Sequence, residues 1–233
     1  MEKVICALWK PKAEARDTFN ARILANLPAQ LAAAGASGIR INVEDSLTDT
    51  GGALRQTRGA PQHQATVQFW MPSANTIFRR DVDAALSAAG ERFAAWLVLE
   101  STILPNKDHP PKKATRNWGW AQMAFLTRPE RLTFDEWLTI WQDHHTRVAI
   151  ETQSNFEYIQ NIVIRALTPD APPYAAIVEE CFPESALSDP FVFFDAVGDP
   201  DKFNANLATM MDCCDRFIDR GTIDVIPTSQ YNF

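Results

Sequence analysis

Apolar residues along this chain fall in two rhythms. Short blocks rich in Val, Ile, Phe and Trp lie at Val4-Trp9, Ile39-Val43, Ala65-Trp70 and Phe93-Ile103, and again at Trp120-Leu126, Phe156-Ile164 and Tyr174-Phe182. Blocks of this length, bounded by turn residues, predict strands. Between them the spacing lengthens to three and four residues. That rhythm predicts helices over about Asp17-Ala34, Ser73-Ala89 and Thr133-Glu151, and a helical region from Ser185 to Asp219 ahead of a last strand after Gly221. The order of elements is β-α-β-β-α-β, and it occurs twice.

The segment Pro105-Asn106-Lys107-Asp108-His109-Pro110-Pro111-Lys112-Lys113 separates the copies and reads as a solvated linker. The chain divides into a first unit at 1–104, a linker at 105–117 and a second unit at 118–233. At a shift of about 118 residues Lys10-Pro11 falls on Arg128-Pro129, and Asp17-Thr18-Phe19 falls on Asp135-Glu136-Trp137, as a duplication requires. One such unit makes a four-stranded antiparallel sheet with both helices on one face, leaving the other face apolar and uncovered. Two units in one chain cover it by packing sheet against sheet. The predicted fold class is therefore α+β: two tandem ferredoxin-like units forming an intramolecular pseudo-dimeric α+β barrel. The space between helices and sheet in each half is the natural pocket.

The copies differ where chemistry would sit. Thr133 and Glu136 match a capping box and Leu132 can staple onto Trp137, which fixes the start of the third helix. Turning about 100° per residue from Trp141 places Phe134, Trp137, Leu138, His145 and Val148 in one apolar stripe, with His144 on its edge. An imidazole there is either a core histidine bonded to a backbone carbonyl or a general acid/base lining an apolar pocket. In the first half Ile23 stands at the place of Trp141 and Leu27 at that of His145, while Pro28 would disturb the next turn. A purely structural histidine would as readily occur in either half. The asymmetry therefore favours the functional reading and places the larger polar-lined cavity in the second half. Beside tryptophans the imidazole is desolvated, hence neutral and basic near physiological pH.

Strand alternation then puts Tyr158 and Gln160 on one sheet face and Asn161 on the other, so the two amides cannot both face the helices. Which of them supports a developing oxyanion stays open. Glu179-Glu180 directs one carboxylate to each face of its strand. The aromatic run Phe191-Val192-Phe193-Phe194 is either a short docked helix or a lid.

Composition narrows the partners. A formal net charge of −7 disfavours a phosphate backbone, so no nucleic acid is expected. No apolar run reaches membrane-spanning length and Met1-Glu2-Lys3 leads straight into a strand, so neither a membrane nor a secretory leader is expected and the protein is read as cytoplasmic. Cys6, Cys181, Cys213 and Cys214 have neither disulfide-framework nor metal half-site spacing, and read as reduced, mostly buried thiols. His144 and His145 diverge on a helix, with no third ligand at metal spacing; no metal is expected.

The run Phe134-Asp135-Glu136-Trp137-Leu138-Thr139-Ile140-Trp141-Gln142-Asp143-His144-His145, with Tyr158-Ile159-Gln160-Asn161 and the late Asp215-Arg216-Phe217-Ile218-Asp219, resembles the EthD family. The match covers the second half; the first half agrees in its elements only. The resemblance implies a dimeric α+β barrel and a hydrophobic small-molecule ligand, met in xenobiotic degradation or polyketide tailoring. The residues it carries over are His145, as the catalytic residue, Trp141, Tyr158 and Asn161, and the activity it implies is that of a cofactor-free decarboxylase or dehydratase. The residues themselves let Trp137, Trp141 and Tyr158 hold the faces of an aromatic or polyketide-like substrate, with Gln160 or Asn161 supporting an oxyanion and His145 moving a proton as in a lyase or isomerase. Because the internal pairing covers both sheets, a monomer or a homodimer is allowed. A non-catalytic carrier is the alternative, and a haem-binding tandem barrel a further one, because that superfold also holds haem proteins.

Overall fold

The computed structural model describes residues 1–233 as one closed, eight-stranded antiparallel barrel wrapped by helices. The first half supplies β1 (Glu2–Trp9), β2 (Ser37–Val43), β3 (Ala65–Met71) and β4 (Arg92–Leu104). The second supplies β5 (Trp120–Leu126), β6 (Glu157–Ala166), β7 (Ala176–Phe182) and β8 (Asp224–Asn232). The strands close in the order β1-β3-β2-β8-β5-β7-β6-β4, which gives both halves the same ferredoxin-like pairing. The sequence pattern foresaw two sheets stacked face to face. The sheets in fact also join edge to edge, β2 with β8 and β4 with β6, into one continuous barrel. Closure pairs the backbone groups that two stacked sheets would leave open along their edges.

In the first half α1 (Arg16–Ala33) and α2 (Thr76–Ala89) cover the barrel. α1 runs unbroken through Pro28, contrary to the expected disturbance. Its buried face of Phe19, Ile23, Leu27, Pro28 and Leu31 holds the helix where local propensity would not. The second half is covered by a composite helix and by α6 (Pro200–Phe217). The composite consists of α3 (Phe134–Leu138), a π turn at Thr139–His145 and α4 (Thr146–Thr152). The aromatic run forms the short α5 (Pro190–Phe193), docked rather than free, with Phe193 stacked on Phe182 and beside Trp120.

Alternation along each strand sorts the residues into layers. On β1, Val4, Cys6 and Leu8 face α1 and α2, while Ile5 and Ala7 join Trp96, Met123, Phe125 and Ile177 inside the barrel. The interior also holds a charged network. Arg40 donates to Glu179 at 2.7 Å and to Glu157 at 3.1 Å, and the amides of Asn42, Gln68 and Gln230 donate to Glu179 as well. Most of Pro105–Lys113 is exposed, as expected of a solvated linker, while the residues that follow lie along β8: Asn117 N–H meets the Gln230 carbonyl at 2.8 Å and Arg116 Nε meets Ser229 Oγ at 2.8 Å. Lys112 and Lys113 remain exposed.

Candidate functional site

The composite helix begins as the sequence specifies, with Thr133 and Glu136 closing a reciprocal capping box. Beyond Leu138 the backbone widens: Thr146 N–H bonds to the Trp141 carbonyl five residues back, and its Oγ1 donates to the same oxygen at 3.2 Å. Such a π turn breaks the uniform 100° phase assumed from sequence. Trp137 and Trp141 are fully buried and Val148, Ala149 and Thr152 make the inward face of α4, while Phe134, the first residue of the helix, is exposed. At the end of the π turn His145 is half-buried, with Phe217 packed on its ring at 4.6 Å and Nδ1 3.3 Å from Cys213 Sγ.

Below this helix the sheet presents a row of three polar side chains. Gln122 on β5, Glu180 on β7 and Tyr158 on β6 lie directly across from one another on the helix-facing side. Glu180 accepts from Asn155 Nδ2 at 3.1 Å and from Gln122 Nε2 at 3.2 Å. A cavity of 270 Å³ opens between helices and sheet, bounded by His145, Trp141, Tyr158 and Glu180 and walled by aromatic, methionine and aliphatic side chains of α5, α6 and β8. Ala53, Leu54 and Gln56 complete the wall. They belong to the loop between β2 and β3, so the first half closes the second half's cavity.

The surroundings set the charge states. Burial, with a small contribution from His144, lowers the His145 pKa to about 4 and leaves the imidazole neutral at neutral pH. Burial raises Glu180 to about 7, against the two amide bonds that favour its ionised form. Tyr158 is pushed well above the ordinary phenol range by burial and by the Glu180 charge.

Of the residues the sequence singled out, the cavity collects His145, Trp141 and Tyr158. Trp137 lies behind Trp141, ring centroids 5.0 Å apart, with its indole N–H on the Phe217 carbonyl. Gln160 faces the helices but is consumed there, donating to Thr146 and to the Tyr158 hydroxyl. Asn161 points into the barrel, accepting from Lys3 and donating to the Ile177 carbonyl, and so stands on the opposite side of the sheet from His145. The missed residue is Glu180. Its signal was present, because adjacent carboxylates in a strand as apolar as Ala176–Phe182 must send one to each buried face.

The expectation of the larger cavity in the second half fails on volume. A polar cleft of 590 Å³ beside Trp9 and Arg92 and a groove of 870 Å³ beside α1 both exceed it. Neither holds an imidazole. The haem alternative does not fit either, because no Lys or Arg lines the cavity to pair with propionates.

These features define a tandem α+β barrel in which one half holds an imidazole-bearing cavity and the other closes it. Residues 129–221, from the loop before the composite helix to the turn before β8, match the EthD domain, the part of the chain whose motif resembles that family. The whole chain is similar in fold to the protein of a solved structure described as a crystal structure study of an anthrone oxidase-like protein. The TM-score is 0.54 at 8% identity, over 99% of this chain and 92% of that one. No curated protein matches the sequence.

Proposed function

We propose that the chain is an EthD-type enzyme that acts without a cofactor on a hydrophobic aromatic or polyketide-like small molecule held in the second-half cavity. The carrying observation is an uncharged imidazole, His145, opening into an apolar cavity beside Trp141 and Tyr158. Trp141, Phe193 and Phe194 offer flat surfaces to a flat ligand. His145 accepts or returns a proton at an activated carbon or hydroxyl, which is the step that lyase, decarboxylase, dehydratase and isomerase chemistry share. Its low basicity confines it to protons already made acidic by a neighbouring carbonyl or aromatic ring. The anthrone oxidase-like name of the structural relative agrees with an aromatic ligand.

The test is His145→Ala assayed against a panel of aromatic and polyketide-like compounds. Turnover falls by about two to four powers of ten, with a smaller change in ligand affinity. A folded variant that turns over substrate like the wild type would leave a non-catalytic carrier as the better reading.

A further inference from the structure

The cavity contains a carboxyl group and nothing positive to answer it. Glu180 is buried, and its side-chain partners are two neutral amides, Asn155 and Gln122, each giving one hydrogen bond to one oxygen. A carboxylate has about four acceptor positions, so roughly half of its capacity is unspent on the cavity side. The titratable groups around it are Tyr158 from β6, His145 from the π turn and Cys214 from α6, all neutral at neutral pH, and the lining contains no Lys or Arg. The remaining walls are apolar, Phe193, Phe194, Met210, Phe217 and Val225 among others, apart from the neutral amides of Gln56 and Gln153.

We propose that Glu180 is the specificity-determining residue of this cavity: it takes neutral aromatic compounds bearing a hydroxyl, whose O–H donates to the carboxylate, and refuses aromatic carboxylates. The physical reason is that an anionic ligand would set a second negative charge beside Glu180 in a medium that screens poorly. A neutral hydroxyl instead supplies the donor that a buried carboxylate lacks. The inference rests on the reading that the second-half cavity is the ligand site. It goes beyond that reading by fixing the charge and donor character of what enters, which sets decarboxylation aside and leaves lyase, dehydratase or isomerase chemistry on a neutral ligand.

Two probes with the same ring system separate the cases: naphthol, a neutral donor, and naphthoate, an anion. Binding of each to the full chain is measured by titration calorimetry at about pH 8 and about pH 5.5, on either side of the pH near 7 at which Glu180 gains its proton. Naphthol should bind wild type at least about tenfold more tightly than naphthoate at the higher pH. Naphthoate should gain about tenfold at the lower pH, where a protonated Glu180 can donate to it. In Glu180→Gln, an isosteric change, naphthoate binding should lose its pH dependence and approach that of naphthol. The wild-type pH series stands by itself if the variant does not fold. Equal binding of both probes to wild type at both pH values, or unchanged discrimination in Glu180→Gln, overturns the assignment to Glu180 while leaving the cavity as a ligand site. Binding of neither probe overturns both.

Discussion

Arg40 on β2 and Glu179 on β7 meet inside the barrel at 2.7 Å, tying a strand of the first half to a strand of the second by an ion pair whose carboxylate is fully buried. Burial by itself would raise the Glu179 pKa, but the guanidinium and the amide donors outweigh it and hold the group well below the ordinary carboxylate range. Breaking such a pair from one side strands a charge. Arg40→Met should therefore cost about 3–5 kcal/mol in urea unfolding, and more than Glu179→Gln, which leaves Arg40 paired with Glu157. A loss below about 1 kcal/mol for Arg40→Met would mean that solvent reaches the network.

Stability should depend on pH through two opposed groups in the cavity. Glu180 is raised from 4.5 to about 7, so the folded state keeps a proton that the unfolded state has lost, and this contribution is lost as pH rises through that window. His145 is lowered from 6.5 to about 4, so its contribution is present above 6.5 and is lost as pH falls towards 4. The slopes oppose one another between 4.5 and 6.5. Glu180→Gln removes one of them. Relative to wild type it should gain roughly 3 kcal/mol of stability on going from pH 4.5 to above pH 7, the linkage value of the shift. His63, lowered to about 4 by burial, acts in both proteins and cancels from the difference. A difference between variant and wild type that is flat with pH would show that Glu180 titrates normally.

The wall contributed by the first half gives a third prediction. A Cβ on Gly51 would lie 2.5 Å from Leu187 Cδ2 and 3.2 Å from the Pro227 ring. Gly51→Val should push the Asp49–Leu54 turn away from β8 and move Ala53 and Leu54 off the cavity. Overpacking of this kind costs about 1–3 kcal/mol in thermal or chemical unfolding. Ligand affinity should fall although no residue of the segment matching the EthD domain has changed. Unaltered affinity in a destabilised Gly51→Val protein would place the ligand away from that wall.

Much of this was legible in the chain. The doubled β-α-β-β-α-β order follows from periodicity, because every strand must present alternate residues to a core and every helix a stripe. Trp120–Leu126 emerges with its predicted limits. Leu27 in place of His145 pointed to the half that carries the imidazole. What stayed hidden depends on partners distant in sequence. Glu180 and Asn161 each lie on a strand with two buried faces, and alternation tells that neighbours diverge without telling which face meets the helices and which the barrel interior. The π turn was invisible because its widened hydrogen bonds leave no compositional mark, and Phe134, expected in the stripe, proved exposed at the first residue of the helix.

The sequence by itself determined the elements, their order, the duplication and the histidine-bearing half, since local sterics, capping and apolar spacing act over a few residues. Only the tertiary structure decided that the sheets close edge to edge, that the barrel interior carries the Arg40 network, and that the Asp49–Leu54 turn of one half walls the cavity of the other. It also decided that Glu180, and not Gln160 or Asn161, faces His145's cavity. Those outcomes are set by pairings between residues distant in sequence, as Arg40 and Glu179 are at a separation of 139, whose free energy no local window of sequence contains.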